Sequence, residues 1–120
     1  MADRLVIKVT AGEDSSERCH QAFTVAAVAV SAGVATSLWL TGEAAWLAVP
    51  GRAEAVALAH SAPLSELRDT VLAGGTVTLC TQCALRRGIT PDDVLPGVVV
   101  AGAAVFLSEV MADGAQALVY

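Results

Sequence analysis

The run Leu5-Val6-Ile7-Lys8-Val9 is short and almost wholly apolar, the pattern of a strand covered on both faces of a parallel sheet. Polar residues from Gly12 to Glu17 follow and predict a turn, with Ser15 or Ser16 as a helix cap and Glu17 in the first turn. Alanine and valine then recur in helical register from about Glu17 to Ala32, and Gly33 is a natural stop. Thr36-Ser37-Leu38-Trp39-Leu40 predicts a second strand. Thr41-Gly42-Glu43 turns the chain into a short helix over Ala44 to Ala48, which Pro50-Gly51 breaks.

Arg52 to Ala62 has helical composition and weak boundaries, so part of it reads as loop. A clearer helix begins at Pro63, which suits a first turn, and ends at Gly74-Gly75. Thr76 to Leu79 is a third strand, and a short helix follows to Arg87, closed by Gly88. After turns at Thr90-Pro91-Asp92-Asp93 and Pro96-Gly97 come a strand at Val98 to Val100, a helix at Gly102 to Ala112 and a last strand at Ala117 to Tyr120. Strands alternating with helices at this spacing predict an α/β fold, a three-layer α/β/α sandwich with right-handed crossovers. One domain over residues 1–120 is expected from the length.

Composition narrows the function classes. Hydrophobic residues make up 55% of the chain and aromatics only 4%, so the interior is built from Ala, Val and Leu. The formal charge of -5 provides no basic patch for direct nucleic-acid binding. Gln21 to Gly42 carries no charge and has the length of a membrane span. It changes character at Gly33 and is interspersed with Ser, Thr, Gly and Gln, so the chain is read as soluble, with no membrane partner. The apolar strand at Leu5 comes too early for a secretory leader. Three cysteines cannot all pair within one chain, and reduced thiols in the cytoplasm are expected.

The most informative residues are Cys80-Thr81-Gln82-Cys83, where a strand hands over to a helix. A thiol there sits over unpaired helix N–H groups, which favour the thiolate, the form that attacks sulfur. As a zinc site the pair lacks partners: only Cys19, His20 and His60 remain, without a second CxxC or an HxxxH pair. No metal or cofactor is therefore expected. A thioredoxin-type site fits poorly, because no Trp precedes the first cysteine, no Pro separates the pair and the motif falls late.

Val77 to Ile89 (VTLCTQCALRRGI) resembles the cysteine loop of the DsrE/DsrF/TusD-like sulfur-relay family. The resemblance extends to the opening strand with its polar loop, the Ala-rich first helix, Leu40-Thr41-Gly42-Glu43 and the closing helix and strand. It implies a parallel five-stranded sheet assembled into homotrimers or homohexamers. It also implies a cysteine, here Cys80, that accepts sulfane sulfur as a persulfide from a donor protein and passes it to an acceptor. Cys83 lacks a counterpart in many relay members. Some homo-oligomeric relatives do have a CxxC, which raises a second possibility: Cys83 as a second catalytic thiol that resolves the persulfide, releasing sulfide and leaving a Cys80–Cys83 disulfide.

Auxiliary candidates are Arg86 and Arg87, cations about two turns along that would lower the pKa of Cys80 or stand simply as solvated surface charge, and Cys19 and His20, placed at the sheet edge where strand three also ends. The plainer expectation for the latter pair is a partly buried cysteine and an exposed histidine. Glu13, Asp14 and Glu43 read as solvated loop charges, and Trp39 and Trp46 as core or subunit interface. Two other functions compete with the carrier: a non-catalytic oligomeric binding module with structural cysteines, and a CxxC dithiol oxidoreductase.

Overall fold

A computed structural model describes residues 3–120. Met1 and Ala2, at the start of the segment read against a secretory leader, lie outside them. Five strands, β1 (Arg4–Val9), β2 (Ala35–Leu40), β3 (Thr76–Cys80), β4 (Val99–Ala101) and β5 (Ala115–Val119), form one sheet in the order β4-β3-β2-β1-β5. All four pairings are parallel, with Lys8 opposite Trp39 and Trp39 opposite Thr78. Helices α1 (Ser16–Ser31), α2 (Leu64–Gly74), α3 (Thr81–Arg86) and α4 (Ala103–Val110) connect them. The result is the expected α/β architecture, with helices on both sides of a five-stranded sheet.

Strand alternation sends Ile7, Val9, Leu38, Leu40, Val77 and Leu79 to one face. There they pack with Ala22, Phe23 and Ala26 of α1 and Val71 of α2 in one core. Small side chains on α1 let it approach both the sheet and α2. A buried residue the size of Phe23 or Leu38 contributes about 1.5–3 kcal/mol. The other face meets α4, where Phe106 packs edge-on against Trp39 with ring centroids 5.4 Å apart. Glu109 accepts hydrogen bonds there from Ser37 Oγ (2.6 Å) and Trp39 Nε1 (3.1 Å).

The uncharged run from Gln21 to Gly42 divides at Gly33 as its composition implies. Gly33 takes φ +82°, and the N–H groups of Gly33 and Val34 close the helix on Val30 and Ala29. Among the described residues, no helix is long and apolar enough to cross a membrane.

Several boundaries differ from expectation. Ser15 stands at the N-cap without a side-chain cap bond, and Ser16 Oγ instead donates to Ala57 O at 2.8 Å. Residues Gly42–Ala48 wind as a 3₁₀ turn, and Arg52 to Ala62 is mostly loop around one such turn at Ala53–Ala55. Only Ala53 and Val56 of that loop are buried, so no apolar stripe supports a helix. Pro63 lies outside α2, with ψ 134° and its carbonyl accepting from Glu66 and Leu67. The last helix is shorter than expected and β5 begins two residues earlier, because Gly114 turns the chain at φ +77°.

Candidate functional site

Cys80 ends β3 and is the residue before α3, with φ -65° and ψ 124°. Leu79 points into the core, so alternation turns Cys80 toward the side of the sheet that carries α4, where it is half-buried. Burial pushes the thiol pKa up. The backbone N–H and thiol of Cys83, the N–H of Gln82 and the charge of Lys8 outweigh burial, and Cys80 ends below its ordinary value. With only six residues in α3, the local amides act here more than any helix dipole. Sγ makes no cap bond of full geometry, yet both amides favour its anion.

Cys83 lies in the first turn of α3 and is buried. Its Sγ accepts from the Gly42 N–H at 3.3 Å. That contact requires the chain to pass very close at Gly42, which has φ +53° and where a Cβ would lie 2.7 Å from Thr10 O. Cys80 and Cys83 do not share one helix face. One holds the N-cap position at the end of the strand and the other is tucked beneath the helix, with its thiol turned to the first.

Arg86 is a surface charge, whereas Arg87 is engaged by the protein. Arg87 donates to Cys83 O (3.1 Å) and to Glu43 Oε1 (3.2 Å), pinning α3 to the Gly42–Ala48 turn, while Arg86 is exposed. Neither is among the groups that shift Cys80; the cation that acts is Lys8, whose Nζ lies 5.4 Å from the Phe106 ring centroid. Lys8 was legible only as a charge inside an apolar strand, and its proximity to Cys80 depends on strand order.

Cys19 and His20 are both buried, which corrects the expectation of a half-buried thiol beside an exposed imidazole. Cys19 is fully enclosed, and burial together with the charge of Asp14 pushes its thiol up to about 12. His20 Nδ1 is 2.8 Å from Ser16 O. Neither residue is among the groups acting on Cys80. Glu13 and Asp14 are exposed, as read, whereas Glu43 is engaged by Arg87. Trp39 is core, and Trp46 is half-buried beneath Arg52, 4.2 Å from its ring centroid. Among the described residues, no three or more His, Cys, Asp or Glu side chains come together as a metal site.

Two clefts lie near the two ends of the sheet. One of about 450 Å³ opens at the amino-terminal ends of the strands, between Arg4, Ser37, Gly75 and Glu109. A small apolar one of about 140 Å³ lies between Leu79, Thr81, Leu85 and Val100. Cys80 lines neither.

Residues 3–120 match the model of the DsrE/DsrF-like family. The chain belongs to that family. It is also 30% identical over 107 residues to the protein MJ0760 of Methanocaldococcus jannaschii, covering 88% of this chain and 39% of that protein. The chain thus spans about two fifths of the length of that relative. Among solved structures, YchN from E. coli superposes with a TM-score of 0.80 at 18% identity, covering 100% of both chains. MTH1491 from Methanobacterium thermoautotrophicum gives 0.72 at 14% identity, covering 98% of each. These likenesses show a DsrE-like fold.

Proposed function

We propose that this protein is a sulfur carrier that holds sulfane sulfur as a persulfide on Cys80. The observation that carries the proposal is the contrast among its thiols: Cys80 is reachable and held below its ordinary pKa, while Cys19 is enclosed and held far above it. The Cys80 thiolate attacks the terminal sulfur of a donor persulfide. A Cys80 S–S bond forms, the donor S–S bond breaks, and the donor leaves as a thiolate. An acceptor thiolate then attacks the terminal sulfur of Cys80–S–SH and releases Cys80 as a thiolate. No external oxidant or reductant enters, because the sulfane sulfur keeps its oxidation state through both exchanges.

The position of Cys80, outside the clefts described above, favours donor and acceptor proteins over a small enclosed substrate. Family membership and three free thiols support the same reading, in a reducing compartment such as the cytoplasm. The open α4 face supports self-association, which the family resemblance expects as a homotrimer or homohexamer. No residue of α4 is buried, and Leu107 and Met111 are 59% and 74% exposed. Sedimentation of Leu107→Arg beside the unaltered protein tests assembly, and a monomer in both removes it.

The proximity of Cys83 favours a second reading, in which Cys80 and Cys83 cycle as a dithiol. In the persulfide form, the Cys83 thiolate would attack the inner Cys80 sulfur, forming the disulfide and releasing hydrosulfide. Incubation with a cysteine desulfurase and cysteine, followed by intact mass, separates the two. The carrier gains one sulfur atom in Cys83→Ser and none in Cys80→Ser. Sulfur retained in Cys80→Ser alone would assign the carrier role to Cys83. Disulfide and free sulfide without any retained sulfur in the unaltered protein would establish the dithiol cycle.

A further inference from the structure

His20 and the loop from Ala53 to Ser65 are not among the groups acting on Cys80, yet they line open clefts of mixed polar and apolar character. Ser16 Oγ ties that loop to the first turn of α1 through Ala57 O. One turn along, His20 is 2% exposed, with Nδ1 2.8 Å from the Ser16 carbonyl oxygen. A carbonyl oxygen only accepts, so Nδ1 carries a proton, and in that tautomer Nε2 offers a lone pair. Nε2 makes no hydrogen bond among the described residues. The one side-chain polar atom sealed without a partner there is Arg87 Nε. Nε2 is therefore not fully sealed, and His20 is part of a cleft wall.

Two adjoining clefts of about 620 and 370 Å³ share His20, Leu58 and Ser61 in their walls. Both volumes fall in the range of small-molecule sites, about 300–1,000 Å³. The larger runs along the first turns of α1 and reaches Tyr120, the residue after β5. Tyr120 forms one wall, held by its N–H to Lys8 O (2.9 Å) and by Thr10 N–H to its carbonyl (3.0 Å). His60 forms another, with φ +59°, the one non-glycine residue in the left-handed region among those described.

The walls contain Glu17 and Glu54 and no Lys or Arg, which disfavours anions. Glu54 is engaged by Arg68 at 3.1 Å, leaving Glu17 to face a cation. Val25 and Leu58 supply apolar surface beside it. We propose that this cleft binds a small primary amine with a short hydrocarbon body, its ammonium donating to His20 Nε2 and facing Glu17.

The probe is n-butylamine, titrated at about pH 8, where it is an ammonium ion. A saturable shift of the His20 Nε2 resonance is expected in long-range ¹H–¹⁵N spectra. His20→Leu should weaken binding about tenfold or more, read from the Leu58 and Ser61 amides, because a hydrogen bond to a charged group is lost. Should His20→Leu fail to fold, Glu17→Gln at an exposed position carries the test, with an expected severalfold loss. Cys80→Ser should bind butylamine unchanged, so failure of the sulfur reading leaves this result intact. No saturable shift at His20, unchanged affinity in both cleft variants, or butanoate binding as tightly as butylamine would each overturn the assignment.

Discussion

The two faces of the sheet are made by the same strands and differ in what covers them. Toward α1 and α2, Ile7, Val9, Leu38, Leu40, Val77 and Leu79 are at most 1% exposed, and Cys19 is sealed among them. Toward α4 a single short helix supplies the cover, and Val105, Leu107, Met111, Val99 and Val119 remain open. Cys80 and Lys8 belong to this second side. One face stabilises the fold and the other carries the proposed nucleophile: a nucleophile needs reach, and a core needs closure.

Alkylation by iodoacetamide tests that division most strongly. Cys19, with its thiol near 12 in place of 9, holds about a thousandfold less thiolate at neutral pH than an ordinary cysteine. Cys80 should label with a pH midpoint below the ordinary value, while Cys19 stays unmodified in the folded protein. Comparable rates for the two, read by peptide mass, would erase the contrast.

Core truncation comes next. Phe23→Ala, at a fully buried position, should cost about 3–5 kcal/mol in urea unfolding. Leu107→Ala on the open face should stay within about 0.5 kcal/mol in dilute solution. Near-equal losses would mean that α4 is as well packed as α1.

Gly42→Ala sits between the two sides. Its added methyl meets Thr10 O in a backbone conformation that alanine resists, and a loss of about 1–3 kcal/mol is expected in the same assay. Cys83 should then label faster, because the Gly42 amide no longer holds its sulfur.

Lys8→Met removes the cation that acts on Cys80 from across the sheet, and the alkylation midpoint of Cys80 should rise. An unmoved midpoint would leave the Cys83 and Gln82 donors as sufficient cause.

The smallest effect lies away from both faces. Asp93 Oδ2 accepts from the N–H and hydroxyl of Thr90, which hold the Asp93 carboxyl below its ordinary value. The stability it supplies is complete above the unfolded value of 3.8 and is lost as pH falls through the lowered folded value. Asp93→Asn should flatten the acid limb of the stability curve slightly, and an identical curve would show that the cap contributes nothing measurable.

Local signals were legible where glycine and proline punctuate the chain. Gly33 and Gly88 end helices α1 and α3 at φ +82° and +67°, and β3 stops one residue beyond its expected end, at Cys80. The strand-to-helix setting of the CxxC followed from the β-branched run and the helix formers around it. Arg86 and Arg87, adjacent in sequence to the motif, gave the wrong cation. Sequence distance is a poor guide to Coulombic distance in a sheet, and Glu43 claimed Arg87 first.

Sequence by itself determined the alternation of strands and helices, the thiol at their junction and an interior of small apolar residues. These follow from local backbone preference and hydrophobic period, which a window of neighbouring residues contains. Tertiary structure alone decided that β1 lies between β2 and β5, pairing Arg4 with Ala115, that Lys8 acts on Cys80, and that His20 is buried beside a cleft. Those outcomes depend on which distant surfaces exclude water together, and no local window carries that information.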